Sequence, residues 1–388
     1  MKKLIFIIVV FCCIYIIPVF VYAFEDTNYN LIKNSVSGLL MDADSGRIIV
    51  KKDINKKVAI ASMTKMVAQI LVMENIESGK IKWNDIVTVS KNAADMGGSQ
   101  IYISEGEKIS VEDLMKGISM ASGNDATVAM AEYISGREAK LVGEMNNKVK
   151  ELGLKNTFFK NCTGLDEDGH YSSAYDMAVI ARHLILEYPE ILRFSSMYED
   201  YLREDTENKF WLVNTNKLVR FYDGADGLKT GHTDNAGYCL AATAKRNGLR
   251  LIAIVLGEPS AAIRNSETME LLNYGYQNLK ANKLKNKGEV FKKVKVDKAN
   301  HEIVNIVLKD DLYVTEDINS RGLKYDYSVD LNKFKLPIKK GDSVGSLDVY
   351  LNGKEIKSVE LSIDEDLEEI NFWDLFIGEF FDLIVGKM

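Results

Sequence analysis

Ser62 and Lys65 stand three residues apart at the head of an apolar-periodic stretch, in the run Ser62-Met63-Thr64-Lys65. On a helix that spacing puts hydroxyl and amine on one face, one turn apart. An amine so placed can take the proton from the hydroxyl as its oxygen attacks a carbonyl. Ser and Lys are common residues, and most such pairs are solvated surface. This one is the only Ser-x-x-Lys in the chain, and Ser122-Gly123-Asn124 and Lys229-Thr230-Gly231 follow it in that order.

These three groups need elements to hold them. Residues 36–52 read as a hairpin, with Val36 to Met41 and Arg47 to Val50 joined by a turn at Asp44-Ser45-Gly46. A helix then carries Ser62 and Lys65, with Met66, Ile70, Leu71 and Met73 at helical intervals and Gly79 as its stop. Two helices are expected over 110–121 and 124–135, the first opened by a capping box at Ser110 and Asp113 and the two separated by Ser122-Gly123-Asn124. Helical patterns continue to about Leu192 and predict an all-helical insert.

Strand signals return at Asp226 to Gly231. Gly237–Ala244 and Leu249–Leu256 then flank the hairpin turn Asn247-Gly248, and a helix fits Ala261 to Leu279. Two opening strands, a helical insert, three closing strands and a last helix predict an α/β fold of the α+β type, an antiparallel sheet flanked by helices.

Three flanking segments around the catalytic domain complete the expected organisation. Lys2 and Lys3 precede an apolar run from Leu4 to Val21, and Val21-Tyr22-Ala23 resembles a small-residue cleavage site, so residues 1–23 read as a secretory signal. The run is long enough that an uncleaved anchor is the alternative. Residues 24–282 form the expected catalytic domain. Residues 283–366 read as a small all-β domain, with Val294 to Val296, Ile303 to Leu308, and Val344–Leu351 and Glu355–Leu361 around Asn352-Gly353. Residues 367–388 read as an amphipathic helix. Its narrow polar stripe is Asn371, Asp374, Gly378 and Asp382, opposite Phe372, Trp373, Phe376, Phe380, Leu383 and Ile384. Such a helix lies in a membrane surface, docks on its own β-domain, or forms an oligomer contact.

Composition excludes several classes of function. The chain has 388 residues, 46% hydrophobic and 27% charged, ample for a large core. A net charge of -7 argues against nucleic acid as a partner, because that binding is driven by clustered basic residues. The four histidines (His170, His183, His232 and His301) show no zinc-ligand spacing, so no metal or cofactor is expected. Beyond Cys12 and Cys13 in the N-terminal run only Cys162 and Cys239 remain, which is not a disulfide scaffold.

Taken together, Ser-x-x-Lys, Ser-x-Asn and Lys-Thr-Gly resemble the penicillin-binding protein and serine β-lactamase superfamily. Asp226 to Thr233, Gly237-Tyr238, and Leu256-Gly257 with Arg264 after it are similar to the low-molecular-weight D-alanyl-D-alanine carboxypeptidases, peptidase S11 type. So are Pro337 to Asp342 and Leu351 to Lys354 in the β-domain. The resemblance implies a β-lactamase/transpeptidase-like fold. It implies an enzyme exported to the outer face of the cytoplasmic membrane and peripherally held there by the C-terminal helix. Its substrate is then a peptidoglycan stem peptide ending in D-Ala-D-Ala, and β-lactams acylate it.

By the same resemblance Ser62 is the nucleophile and Lys65 the general base, kept neutral by burial and by the neighbouring cation Lys229. Ser122 and Lys229 relay a proton to the departing amine, and Asn124 orients Lys65 and holds the substrate amide. The backbone amides of Ser62 and His232 form the oxyanion hole, while Thr230, Gly231 and Arg264 complete substrate binding at the terminal carboxylate.

Each residue has a plainer reading. Ser90-Lys91-Asn92 also satisfies Ser-x-Asn, Arg264 is equally an ordinary surface arginine, and Asp176 either supports the site or lies on a helix surface. Thr163 sits where some relatives carry a histidine. A class A β-lactamase needs Glu-x-x-Leu-Asn for its deacylating water. The nearest string, Glu270-Leu271-Leu272-Asn273, is one residue short and follows Lys-Thr-Gly. A D,D-endopeptidase or a low-efficiency β-lactamase of the same fold are the alternatives.

Overall fold

The hairpin expected over 36–52 forms strands β1 (Ser37–Asp42) and β2 (Ile48–Lys52). In this computed structural model, which describes residues 31–204, 206–301 and 303–370, they sit at one side of a five-stranded antiparallel sheet. The order across it is β2, β1, Leu249–Glu258, Gly237–Arg246 and Ala225–Thr233, which places the Lys-Thr-Gly strand at the far edge. Asn247 and Gly248 turn the hairpin with φ of 48° and 85°, the left-handed values that an Asn-Gly step supplies without strain.

The sheet is covered on both faces, and the strand Leu249–Glu258 records this residue by residue. Ile252, Ile254 and Leu256 enter one apolar cluster, while Leu251, Ala253 and Val255 enter the other. Alternate side chains of a strand point to opposite faces, so a strand buried on both sides reads as one continuous apolar run. The helix Ala261–Asn278 covers one face with Leu271 and Leu272. The other is covered by helices including α1 (Lys65–Glu77), in which every residue from Lys65 to Met73 is buried. A helix buried all round belongs to the core, and this one carries its lysine into it.

Ser62 lies in a single 3-10 turn, Ala61–Thr64, that leads into α1. Gly79, at φ 71°, ends the helical region as expected. Ser110 caps the next helix by accepting the Asp113 amide at 3.0 Å. That helix widens into a π turn over Gly117–Ala121 and stops at Ser122, which is left-handed at φ 63°. A fresh helix starts at Asn124. The expected break between two helices is real, and it is sharp.

The insert is not all-helical, contrary to expectation. Residues 152–173 run as an irregular loop, tied down by bridges Val58 to Ser172 and Phe158 to Tyr171. Gly153, Gly164 and Gly169 in it adopt φ of 69°, 85° and 82°, values that end any helical run. Past the helix Ala174–Glu187, the strands Glu199–Leu202 and Phe210–Val213 form a hairpin.

The β-domain begins at Leu279–Lys285, a strand that crosses the boundary expected at 283 and pairs with Leu312–Asp317. Its main sheet orders Val290–Lys295, Ile303–Leu308, Lys354–Ile363, Gly345–Leu351 and Asp326–Leu331. Three polar contacts fasten it to the turn between β1 and β2: Thr315 to Asp42 at 2.9 Å, Lys357 to Asp44 at 2.5 Å and Arg47 to Asp317 at 3.2 Å. Residues 367–370, expected to start the tail helix, belong to this domain, with Leu367 fully buried and bridged to Ile338. The rest of that helix and the expected signal lie outside the described residues. Among the described residues no helix is long and apolar enough to cross a membrane.

Two glycines let backbone close on the Ser62 turn. A Cβ on Gly231 would lie 2.5 Å from the Ile60 carbonyl oxygen, and one on Gly164 would overlap the Ala61 carbonyl. Gly164→Ala is therefore expected to cost about 2 kcal/mol or more, combining strained φ with backbone overlap. Urea denaturation reads this directly, and an unchanged midpoint would contradict the packing.

Candidate active site

α1 brings the Lys65 amine to the centre of the site at zero exposure. Its Nζ lies 2.8 Å from Ser62 Oγ, 2.7 Å from Asn124 Oδ1 and 2.7 Å from the Thr163 carbonyl oxygen. Burial pulls its pKa down to about 7, against the opposing charges of Cys162 and Asp125. A neutral amine has two N–H bonds and one lone pair. Asn124 Oδ1 and the Thr163 carbonyl can only accept, so they take both N–H bonds. The lone pair is left facing Ser62, the one partner with a proton to give.

Ala61, immediately before Ser62, is left-handed at φ 48°. Such conformations are costly for a residue with a Cβ and persist only where surrounding structure enforces them. Here Gly231 and Gly164 press from two sides, and the Thr64 hydroxyl donates to the Ala61 carbonyl at 2.9 Å. Thr64 Oγ1 also sits 2.7 Å from His170 Nε2, while His170 Nδ1 accepts the Lys160 amide at 3.2 Å. Burial drops His170 to about 4, so the ring is neutral and anchors the loop to the Ser62 turn.

Asn124 is held at both ends. Its Oδ1 meets Lys65 and its Nδ2 donates to the Gly97 carbonyl at 2.7 Å. Gly98 lies so close that a Cβ there would stand 2.7 Å from Nδ2. Asp125 steadies the same loop by accepting the amides of Ile101 and Ile103. Ser122 Oγ is buried with no hydrogen-bond partner among the described residues.

Lys229, 1% exposed, reaches the site from the sheet's edge strand and donates to the Thr230 carbonyl at 3.1 Å. Burial first, then the charges of Lys65 and Arg264, drive its pKa well down. The expected causes for Lys65 are burial and the Lys229 charge together; burial comes first at both lysines, and the repulsion between the two amines adds to it. Thr230 Oγ1 donates to Thr215 Oγ1 at 2.7 Å. His232 is exposed on the same strand, its ring stacked 4.0 Å from that of Tyr238.

Arg264 is not a surface arginine. It is 5% exposed and makes no ion pair among the described residues; its hydrogen bonds go to Asn265 Oδ1 at 3.1 and 2.9 Å. It feels Cys239 and Tyr238 of the adjacent strand and lowers Lys229 in turn.

The plainer candidates fall away. Ser90 caps a short helix through the Ala93 amide, and Asn92 bonds Glu132 at the surface. Asp176 is neither on the surface nor at the reacting groups. It accepts the Asn156 amide and the Thr157 hydroxyl, fastening the loop that delivers Thr163. Glu270 pairs with Lys33 at 3.7 Å, and Asn273 accepts the Tyr222 hydroxyl, so that string activates no water here. Cys162 and Cys239 are both free and buried. Sequence reasoning missed the carbonyls of Thr163 and Gly97, and Thr215. The carbonyls act through backbone, which leaves no side-chain signal; only Gly98 and Gly164 beside them mark the close approach.

Comparison with known proteins gives the family. The family model described as D-alanyl-D-alanine carboxypeptidase matches residues 27–260, and that of the penicillin-binding protein 5 C-terminal domain matches 280–369. D-alanyl-D-alanine carboxypeptidase DacF of Bacillus subtilis is 44% identical over 340 residues, 87% of this chain and 86% of its own. DacA of Escherichia coli is 33% identical over 351 residues, 88% and 85% of the two chains. Among solved structures, penicillin-binding protein 5 of Haemophilus influenzae superposes with a TM-score of 0.65 at 33% identity, covering 87% of this chain and 98% of that one. Penicillin-binding protein D2 of Listeria monocytogenes in its ampicillin-bound form has a TM-score of 0.57 at 31% identity, covering 62% and 97%. The Ser62–Lys65 pair and these matches place the chain in the peptidase S11 family of D-alanyl-D-alanine carboxypeptidases.

Proposed function

We propose that this enzyme removes the terminal D-alanine from peptidoglycan stem peptides through an ester on Ser62, and that β-lactams acylate the same hydroxyl. The observation that carries the reading is the Lys65 amine, out of water and 2.8 Å from Ser62 Oγ, with its other two partners unable to donate. As Ser62 Oγ bonds to the carbonyl carbon of the penultimate D-alanine, its proton passes to Lys65. The oxyanion that forms is met by the backbone amides of Ser62 and His232. Each such donor lowers the barrier by about 3 kcal/mol.

Collapse of the tetrahedral intermediate breaks the C–N bond. The departing amine takes a proton from Lys65 by way of Ser122 Oγ, the buried hydroxyl free for this hand-over. Lys229 takes part with Ser122 in that hand-over. Water then attacks the ester, giving its proton back through Lys65 and releasing Ser62. Asn124 keeps Lys65 in register and meets the substrate amide. Arg264, with Thr230 and Gly231 on the edge strand, takes the terminal carboxylate.

The enzyme acts at the outer face of the cytoplasmic membrane, delivered by residues 1–23 and held peripherally by an amphipathic helix beyond residue 370. The alternating stripes of that segment support the placement.

In Ser62→Ala, labelling by a fluorescent penicillin and release of D-alanine from a D-Ala-D-Ala pentapeptide should both disappear; labelling that survives would remove Ser62 from its role. Because Lys65 must be neutral to accept a proton, acylation should speed up as pH rises through about 7. A rate flat from about pH 5.5 to 8.5 would contradict a lysine base. Deleting residues 371–388 should move the signal-cleaved enzyme from membranes to the soluble fraction, and continued membrane retention would rule the tail out as the anchor.

A further inference from the structure

Away from the reacting groups, two glutamates meet one serine in the core. Ser35 Oγ lies 2.5 Å from Glu258 Oε1 and 2.5 Å from Glu267 Oε1. A hydroxyl has one proton, so it can donate to only one of them and must accept from the other. One carboxyl is therefore protonated. Glu267 is saturated with donors: the amides of Lys33 and Asn34 at 2.9 Å each and of Ser35 at 3.2 Å. Among the described residues Glu258, 1% exposed, meets no donor but Ser35, and its Oε2 is buried without a partner. The proton belongs on Glu258, and hydrogen bonds run from Glu258 to Ser35 to Glu267.

Charges around the pair agree. Burial, with Glu267 adding to it, pushes Glu258 up to about 7. Against the upward push of burial, the Asn34 amide and the Ser35 hydroxyl hold Glu267 low. Facing Glu258 from other elements are Lys52 of β2, which donates to the Ser35 carbonyl at 2.6 Å, and the Cys239 thiol of the neighbouring strand. The ion pair Lys33–Glu270 closes the rim.

The two glutamates bracket Arg264. Glu258 ends its strand two residues before Ser260, which caps the helix Ala261–Asn278 through the Ile263 amide at 3.2 Å. Glu267 sits one turn past Arg264 on the same helix, tied to residues 33–35. We infer that Glu258 is a positioning residue: as a protonated acid it completes the chain through Ser35 to Glu267 that fixes the helix carrying Arg264, and its ionisation loosens the grip on the substrate's carboxylate. The inference rests on the carboxylate role proposed above for Arg264.

Binding of a D-Ala-D-Ala pentapeptide to the full chain carrying Ser62→Ala, measured by calorimetry, separates affinity from acylation. At about pH 6, Glu258→Gln added to that chain should leave Kd unchanged. At about pH 8.5 the Gln variant should bind about fivefold more tightly than its parent. Superimposable profiles would overturn the inference, as would a Gln effect that persists in Arg264→Ala. Melting temperature reads the pair without any substrate. Glu258's folded value of about 7 lies above its ordinary 4.5, so the stability its proton confers is present at low pH and lost as pH rises through about 7. Glu258→Gln should abolish that loss, and an unchanged pH slope overturns the protonated pair. If the peptide fails to bind at any pH, the carboxylate reading falls with the link to Arg264, while melting still decides the pair.

Discussion

Burial of one amine, that of Lys65, is the constraint on which the catalytic half of the molecule depends. In water a lysine is protonated at neutral pH and useless as a base, and only removal from water brings it near neutrality. A buried amine must still have its hydrogen bonds met, or the fold does not tolerate it. The three partners come from three parts of the chain: the 3-10 turn, the break after the π turn, and the 152–173 loop. The 3-10 turn and the loop are irregular backbone, and Asn124 is the first residue after the break, where a new helix opens. The sheet and its helices exist, in effect, to hold three interruptions together.

Those interruptions are held by close backbone approach. Gly231 and Gly164 press on the Ser62 turn, Gly98 on Asn124, and the left-handed Ala61 and Ser122 sit where the pressure is greatest. Strain of this kind costs of order 1–3 kcal/mol per residue, offset by the packed sheet behind it. The benefit is that Ser62 Oγ and Lys65 Nζ stay 2.8 Å apart with little freedom to drift. Preorganised donors and bases need no rearrangement as the reaction proceeds. The Lys-Thr-Gly strand contributes as an edge: one side is hydrogen-bonded into the sheet while the other borders the Ser62 turn.

Sequence was most informative where chemistry coincides with local periodicity. The hairpin at 36–52, the Asn247-Gly248 turn, the strand Leu249–Glu258 and the helix behind it are legible because turn residues and apolar periods are short-range signals. It misled where a helix-like composition folded irregularly. The 152–173 stretch read as helix because its apolar residues fall at plausible intervals, yet three glycines in left-handed φ make it a loop. That loop supplies one of Lys65's three partners through a carbonyl.

By itself the sequence determined the candidate reacting groups, their order, and the family chemistry they imply, because Ser-x-x-Lys, Ser-x-Asn and Lys-Thr-Gly are each written in adjacent residues. Only the tertiary structure decided which atoms control them. It put burial first among the causes that lower both lysines, and it made Arg264 a buried cation with no ion pair among the described residues. It also set Glu258 against Glu267 across a single hydroxyl. The physical reason is common to all three. Desolvation and pairing depend on what lies within a few ångströms in space, and the segments that meet there are far apart along the chain.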